Sequence, residues 1–297
     1  MGISENQLEV WSHQGAIKTS KETYGIIKSA LEDVNAKYHS KNFRIYLQGS
    51  YGNDTNIYAE SDVDVVIELK STFYSNKRDL PHSQRIEYDA HYQSATYHLE
   101  EFRRDVENVL VAYFGRDMIE DGKRSLKVYG FGNRRDVDVV VCSEYRKYHY
   151  YYGPNSCSFI SGMTIRNAGE VIINYPKLHS EALTEKHKLT EMRYKPLIRI
   201  LKNIKTKLVN LKMIDKKTAP SYFLEGWLYN APNNKFERNI KSRFINVVNW
   251  LLKQDAAHFM MPHGVYGLIG KTNTQWNYGD YKKFTDSLVE YWNNWRE

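Results

Sequence analysis

Two Asp-x-Asp pairs stand at the start of apolar, β-branched stretches of this chain. Asp62 and Asp64 lead into Val-Val-Ile, and Asp136 and Asp138 lead into Val-Val-Val. Such stretches predict β-strands. Because residues i and i+2 of a strand point to the same face, the two carboxylates of each pair project together. Carboxylates crowded in this way repel one another unless a cation neutralises them, so the pattern predicts strands that bind a cation.

A Gly-Ser turn precedes the first acidic pair. Gly49 and Ser50 follow a predicted strand, and Asp62 comes twelve residues after Ser50. A glycine lets backbone N–H groups approach a triphosphate closely, and the serine hydroxyl adds a donor. In nucleotidyl transfer, two Mg²⁺ ions about 3.5–4 Å apart bind the attacking and leaving oxygens. One Asp-x-Asp pair, a third carboxylate and this turn therefore predict metal-assisted phosphoryl or nucleotidyl transfer.

Length and composition limit the class of protein. The chain has 297 residues, 41% of them hydrophobic, which is enough for one large domain or two ordinary ones. No apolar run reaches the roughly 18 residues of a membrane span, and the first residues lack a signal-peptide core. Two cysteines make neither a disulfide framework nor a four-cysteine zinc site. We expect a reduced, cytoplasmic protein that does not bind a membrane.

The order of predicted elements divides the chain into two parts. The first half alternates predicted helices and strands, including a β-hairpin over residues 125–142 and helices over 20–41 and 83–114. After residue 160, two short strands give way to helices around 178–190, 194–214, 219–230, 238–254 and 280–296. We predict an α+β domain over residues 1–165 and a mainly helical lobe over 166–297. A cleft between two such lobes is a usual ligand site.

Basic residues concentrate in one segment of the helical half. Residues 186–217 contain 11 Lys and Arg against 2 acids, in a chain of net charge +7. One interpretation is a solvated helix face. The other is a surface for polyphosphate or nucleic acid, with Lys205, Lys207 and Lys212 as candidate contacts.

The acidic motifs and the Gly-Ser turn resemble those of a known enzyme superfamily. Gly49-Ser50, the segment from Asp62 to Val66, and Asp138 followed by two valines look like the nucleotidyltransferases that include DNA polymerase beta. More narrowly, they resemble the bacterial cGAS/DncV-like nucleotidyltransferases (CD-NTases) of anti-phage (CBASS) signalling. The family's third carboxylate precedes two small β-branched residues, which favours Asp138 over Asp136. The family often has proline where this chain has Val141, a difference that leaves the carboxylates intact.

The resemblance continues into the helical half and covers most of residues 45–230. Lys202, on a predicted helix, and the later Pro-Ser-Tyr segment with Ser221 and Tyr222 match the family's second phosphate-binding segment. This implies that Lys202 and Ser221 bind the donor triphosphate together with Gly49 and Ser50. It also implies that Tyr222 stacks on the base.

The resemblance implies a fold and an activity. The expected fold is a polymerase-beta-like nucleotidyltransferase core, a mixed sheet with helices, packed against a C-terminal helical lobe. Asp62, Asp64 and Asp138 would bind two Mg²⁺ ions, or Mn²⁺, and catalyse synthesis of a cyclic di- or trinucleotide second messenger. The substrates would be ATP, GTP or pyrimidine nucleoside triphosphates, and a separate effector would recognise the product. Bound RNA is a candidate activator.

Two alternatives to a messenger synthase remain open on sequence. One is a nucleic-acid sensor whose catalysis is secondary, based on the basic segment. The other is a transferase that adds a single nucleotide to a small molecule, a tRNA or a protein. A tyrosine-rich segment, residues 145–152, either packs amphipathically or stacks on bases.

Overall fold

The structure is a computed structural model, and it describes residues 2–15, 17–59, 62–167 and 170–295. It contains two compact units, each assembled from separate stretches of the sequence. The sheet unit comprises residues 18–48 and 62–177, and the helical unit comprises 1–17, 49–61 and 178–297. This division is discontinuous in sequence, unlike the contiguous domains 1–165 and 166–297 that we predicted. The segment that carries Gly49 and Ser50 therefore belongs to the helical unit.

A seven-stranded mixed sheet forms the centre of the described part of the sheet unit. Its strands are β1 (Phe43–Gln48), β2 (Val63–Asn76), β3 (Ile119–Asp121), β4 (Leu126–Val128), β5 (Val137–Tyr151), β6 (Cys157–Asn167) and β7 (Glu170–Asn174). The order is β1-β2-β5-β4-β3, with β6 beside the later part of β5 and β7 beside β6. Strands β2 and β5 run parallel, and the other described pairs are antiparallel.

One face of the two central strands is fully buried. Alternate residues of β2 and β5 on that face have no exposed surface or almost none: Val63, Val65, Ile67, Leu69, Val137, Val139 and Val141. Helix α5 (Leu99–Phe114) contacts both strands and buries Phe102, Val106 and Leu110. Burial of a side chain of this size contributes about 1.5–3 kcal/mol. The acids at positions 64 and 138 alternate with this core and point to the other face.

The remaining helices of the sheet unit differ in extent from the prediction. They are α2 (Lys18–Leu31) and α4 (His82–His91), with a short 3₁₀ helix over Arg116–Met118. The single helix predicted over 83–114 is two helices. The break ends at His98, the residue that caps the start of α5. Its backbone N–H donates to the Glu101 side chain at 2.9 Å.

The helical unit is built around a continuous apolar core. Its helices are α1 (Glu5–Ser12), the four-residue α3 (Gly49–Gly52), α6 (Pro176–Leu189, which begins in the last residues of the sheet unit), α7 (Tyr194–Asn210), α8 (Ser221–Tyr229), α9 (Ile240–Leu252) and α10 (Tyr278–Asn293). Short 3₁₀ helices cover Asn233–Lys235 and Ala256–His258. Leu201, Trp227 and Phe284 are fully buried in this core. Each of the five predicted helices after residue 160 has a counterpart in the structure.

The tyrosine-rich segment lies in β5 up to Tyr151, and a register shift in the pairing with β6 between Tyr148 and Tyr150 interrupts the alternation of its faces. Tyr148 and Tyr151 are fully buried against Tyr88 and Leu80, whereas Tyr150 and Tyr152 are exposed. The buried pair therefore packs inside the sheet unit.

No helix among the described residues has both the length and the apolarity needed to cross a membrane.

Candidate functional site

The acidic motifs lie at the start of two neighbouring parallel strands. Asp64 of β2 is in register with Asp138 of β5, and both are partly exposed. Strands paired in this way lie about 4.8 Å apart, and residues in register point to the same face. Asp62 is exposed and stands immediately before β2. Strand pairing thus positions two of the three candidate metal ligands side by side.

Asp136 is engaged differently from Asp138. The Gly130 backbone N–H donates to Asp136 Oδ1 at 2.7 Å, and Lys127 Nζ lies 3.3 Å from Asp136 Oδ2. The hydrogen bond from Gly130, followed by Lys127, lowers the pKa of Asp136. A Cβ at residue 130 would lie 2.6 Å from the Arg134 carbonyl oxygen, so this close approach requires glycine. Asp136 therefore holds the turn between β4 and β5.

Asp138 accepts a longer hydrogen bond from the surrounding protein than Asp136 does. Its Oδ1 accepts a hydrogen bond from the Ser125 hydroxyl at 3.1 Å. Lys127 lies opposite Asp138 in the register of β4 and β5. The hydrogen bond to Asp136, and the charges of Asp136, Asp62 and Asp138, raise the pKa of Lys127. The three carboxylates thus act together on one ammonium group.

The acids match a divalent cation in donor chemistry, because Mg²⁺ prefers carboxylate oxygens. Strand register brings Asp64 and Asp138 together, and Asp62 is exposed immediately before β2. The described side chains nevertheless form no group of three or more His, Cys, Asp or Glu already drawn together as metal ligands. The residues that fit a cation are therefore present at one strand edge, and their assignment as ligands stays a prediction.

The Gly-Ser turn begins the helical unit's inserted segment. Gly49 has φ +65°, a left-handed conformation that favours glycine, and it starts the short helix α3. The backbone N–H of Asn53 donates to the Gly49 carbonyl at 3.0 Å, and that of Thr55 donates to the Ser50 carbonyl at 2.8 Å. Ser50 is partly exposed. We call residues 49–56 the Ser50 loop.

Lys202 holds the Ser50 loop from helix α7. The lysine is fully buried, and its Nζ donates to the Thr55 carbonyl at 2.9 Å. The predicted contact between Lys202 and a triphosphate stays a prediction. What the structure adds is that this ammonium binds the backbone of the loop that contains Ser50.

A buried carboxylate that we did not predict lies on helix α8. Glu225 Oε1 accepts from the Thr55 hydroxyl at 2.6 Å, and Oε2 accepts from Asn53 Nδ2 at 3.3 Å and lies 2.8 Å from His179 Nε2. Burial raises the pKa of Glu225, but the His179 hydrogen bond, the nearby charges and the Thr55 hydrogen bond outweigh burial and lower it overall. The sequence signal was an acid inside the apolar run Phe-Leu-Glu-Gly-Trp.

Ser221 and Tyr222 begin the same helix as Glu225. Both are partly exposed. The Tyr222 ring stacks on the His179 imidazole, with centroids 4.4 Å apart and planes 24° apart. Burial raises the pKa of Tyr222. A base that stacks on Tyr222 would therefore extend a stack that already includes His179.

The basic segment is less exposed than either sequence interpretation assumed. Lys186, Lys195, Lys202 and Lys205 are all buried. Lys195 pairs with Asp54 at 3.1 Å, and Arg199 Nη1 donates to the Asp54 carbonyl at 2.7 Å. The surface contact predicted for Lys205 is wrong for this structure, because Lys205 lies on the buried side of helix α7. Lys207 and Lys212 are exposed, as such a contact requires.

Comparison with protein families gives two matches along the chain. The nucleotidyltransferase domain matches residues 27–121. The cGAS/DncV-like nucleotidyltransferase C-terminal helical domain matches residues 181–293.

Curated relatives match over nearly the whole chain. The cyclic UMP-AMP synthase of Rhodothermus marinus (strain SG0.5JP17-172) is 38% identical over 300 residues, covering 99% of both proteins. The cyclic nucleotide synthase CdnE01 of Staphylococcus haemolyticus is 37% identical over 302 residues, covering 99% of this chain and 100% of that protein. A cyclic dipurine nucleotide synthase of Elizabethkingia meningoseptica is 30% identical, covering 80% and 79%.

Solved structures give the same result. The Rhodothermus marinus CdnE c-UMP-AMP synthase, determined with Apcpp and Upnpp, superposes with a TM-score of 0.87 at 38% identity, covering 99% of this chain and 98% of that one. The Elizabethkingia meningoseptica CdnE cyclic dinucleotide synthase, determined with GTP and Apcpp, gives 0.76 at 25% identity, covering 97% and 98%.

Proposed function

The chain belongs to the cGAS/DncV-like nucleotidyltransferase family and is a nucleotidyltransferase, and from this premise we propose that it joins two nucleoside triphosphates into a cyclic dinucleotide. The observation that carries the proposal is the register of Asp64 with Asp138, with Asp62 two residues earlier. Two of the three predicted catalytic acids are thus neighbours across paired strands. Full-length similarity to a cyclic UMP-AMP synthase supports the ring-forming activity.

The proposed reaction is two successive nucleotidyl transfers. A ribose hydroxyl of one nucleotide attacks the α-phosphorus of the other. The bond between that phosphorus and the oxygen bridging to the β-phosphate breaks, and pyrophosphate leaves. The second transfer closes the ring and releases a second pyrophosphate. The attacking hydroxyl loses its proton near the third carboxylate, which we assign to Asp138.

Asp62, Asp64 and Asp138 are the residues that would hold two Mg²⁺ ions, or Mn²⁺ in their place. Bound divalent ions would stabilise the negative charge on the attacking and leaving oxygens. The rest of the rate comes from positioning and fixed electrostatics, because phosphoryl transfer needs little covalent chemistry from the protein. Asp136 is left out of this set, because Gly130 and Lys127 already engage both of its oxygens.

The helical unit supplies the proposed triphosphate contacts. Gly49 and Ser50 offer backbone N–H groups and a hydroxyl, and Ser221 offers a second hydroxyl. Tyr222 would stack on the donor base. Lys202 supports the site by holding the Ser50 loop through Thr55, and its charge lowers the electrostatic cost of phosphate binding.

The product we expect first is cyclic UMP-AMP, because the relative with that name covers 99% of this chain at 38% identity. Relatives with less coverage are named for dipurine and dipyrimidine products, so base choice varies within the family. We propose that the product is a messenger in antiviral defence that a separate effector binds.

Labelled nucleotides test the proposal directly. The purified chain is incubated with all four NTPs and Mg²⁺, without an acceptor, then treated with phosphatase and examined by mass spectrometry. A phosphatase-resistant cyclic product supports ring closure. Transfer seen only after a small molecule, tRNA or protein is added would instead favour the single-nucleotide transferase. The Asp62→Asn/Asp64→Asn double variant should fold and make no product; product from that variant would reject the acid assignment.

RNA activation is a second, additional proposal. It is supported by two exposed lysines at and beyond the end of helix α7, Lys207 and Lys212. Lys205 no longer contributes to it, because that side chain is buried. The alternative of a nucleic-acid sensor with secondary catalysis is supported by the same two exposed lysines.

A further inference from the structure

We propose that Glu225 is a positioning residue that fixes the Ser50 loop for triphosphate binding and couples this loop to Tyr222. The inference rests on the proposed function, because it assigns a purpose to the loop that carries Ser50. It adds Glu225, Thr55 and His179 to the residues on which nucleotide affinity depends.

The first step is the set of hydrogen bonds that the Ser50 loop makes to the rest of its own unit. The Glu225 carboxylate accepts from Asn53 and Thr55. Two side chains of helix α7 donate to backbone carbonyls of the same loop: Arg199 donates to the Asp54 carbonyl, and Lys202 donates to the Thr55 carbonyl. Gln14 Nε2 donates to Asn56 Oδ1 at 2.7 Å, and Asn56 is fully buried. Every residue from 53 to 56 is therefore held by a partner outside the loop.

The second step is the chemistry of the central acid. Glu225 is 3% exposed, and an ionised carboxylate is strongly disfavoured in such surroundings unless several donors compensate it. An apolar residue of similar size often serves a core at least as well as a buried ion pair does. A carboxylate at this position is consequently poor at stabilising a core, but it can accept several hydrogen bonds at once. Two of those bonds come from the Ser50 loop.

The third step is the connection to the candidate base platform. His179 is 1% exposed; its Nε2 contacts Glu225, and its ring face stacks on Tyr222. Tyr222 and Glu225 are three residues apart on helix α8, so they lie on neighbouring turns of one face. One imidazole thus touches both the acid that holds the Ser50 loop and the ring that would hold the base. A change at Glu225 should weaken both contacts with the nucleotide.

A matched pair at Thr55 tests the inference. Thr55→Val keeps the shape and removes the hydroxyl that donates to Glu225, whereas Thr55→Ser keeps the hydroxyl. The readout is the equilibrium Kd of the full-length protein for a non-hydrolysable ATP analogue with Mg²⁺, beside the Tm of each variant. We expect Thr55→Val to weaken binding about tenfold, since a hydrogen bond to a charged group is lost. Thr55→Ser should stay within about twofold of the wild type.

Glu225→Gln extends the test if Thr55→Val does not fold. The amide keeps one acceptor oxygen for Thr55 but loses the charge, so we expect weaker binding of the analogue than in the wild type. Arg243→Met is the control: Arg243 is buried in the same unit and donates to the carbonyls of Glu237 and Arg238, away from the loop. It should lower the Tm and leave the Kd unchanged.

The two proposals fail in distinguishable ways. A wild-type protein that binds the analogue but makes no cyclic product overturns the proposed function and leaves the positioning test intact. Thr55→Val and Glu225→Gln variants that bind as tightly as the wild type, with a lower Tm as in Arg243→Met, overturn the positioning role. Glu225 would then be a structural acid only.

Discussion

The two units position their candidate functional residues by different means. In the sheet unit, Asp64 and Asp138 are placed by backbone pairing between strands and stay partly exposed. In the helical unit, the Ser50 loop is held by buried side chains, among them Glu225 and Lys202. A side-chain substitution leaves strand register largely intact, whereas the loop depends on individual hydrogen bonds. The acids should therefore tolerate isosteric changes structurally, and the loop should not.

The buried charges of the two units differ in the same way. In the sheet unit, Glu68 pairs with Arg44 and Lys70, and Glu144 pairs with Lys70 and Arg146, so each acid has more than one cation nearby. In the helical unit, Glu225 depends on His179 and Lys202, and both are fully buried or nearly so. Redundant pairing makes the first cluster less sensitive to the loss of one cation.

The largest expected effect separates Asp138 from Asp136. Asp138→Asn should lower the rate of cyclic dinucleotide synthesis by roughly a thousandfold or more, because it removes a proposed metal ligand. Asp136→Asn should lower the rate by less than about tenfold, because an amide can still accept from Gly130. Steady-state product formation measures both. Equal losses would mean that Asp136 also takes part in catalysis.

The next effect compares one lysine from each unit. Lys202→Met should destabilise the protein by about 3–5 kcal/mol, because it removes a buried ammonium that donates to the Thr55 carbonyl and whose charge favours the ionised form of Glu225. Lys70→Met should cost about 1 kcal/mol or less, because Arg44 and Arg146 still pair with the two acids. Urea unfolding curves measure the difference. Equal losses of unfolding free energy in the two variants would show that the remaining cations of the sheet unit do not compensate for the loss of Lys70.

A smaller effect is expected on acidification, and it belongs to the helical unit. Burial, followed by nearby positive charge, lowers the pKa of His187 and His263 to about 4. Between about pH 6.5 and 4, the unfolded chain binds protons that the folded chain does not, so stability falls as the pH falls through this window.

His263→Asn tests that window. The asparagine can still accept from the Val265 backbone N–H, which donates to His263 Nδ1 at 3.0 Å. It no longer titrates, so the loss of unfolding free energy between pH 6.5 and 4 should shrink by on the order of 2 kcal/mol. A pH dependence identical to that of the wild type would contradict the buried neutral histidine.

The smallest effect concerns the exposed lysines. Lys207→Glu with Lys212→Glu should leave basal synthesis within about twofold, because both side chains are solvated. If RNA activates the enzyme through this surface, structured RNA should stimulate the wild type and stimulate the double variant much less. Equal stimulation of the two proteins would place the RNA contact elsewhere.

Local patterns predicted much of the fold. The β-branched runs after Asp64 and Asp138 are strands, β1 is the strand predicted before Gly49, and the family comparisons confirm the α+β nucleotidyltransferase fold with its C-terminal helical domain. Such patterns are visible because alternation and helical spacing depend on neighbours within a few residues. The break between α4 and α5 was missed, because its polar residues fit a helical spacing as well as a loop.

The sequence alone was enough to predict which acids stand at the start of two strands, where the Gly-Ser turn lies and which family the motifs resemble. Tertiary packing buries Lys202 and Lys205 and lets Glu225 accept hydrogen bonds from the Ser50 loop, and neither feature was predicted from the sequence. The reason is distance along the chain: Lys202 and Thr55 are 147 residues apart, and Glu225 and Thr55 are 170 apart. A lysine in a basic helix looks the same in sequence whether it faces water or a carbonyl, and only the packed fold supplies the partner.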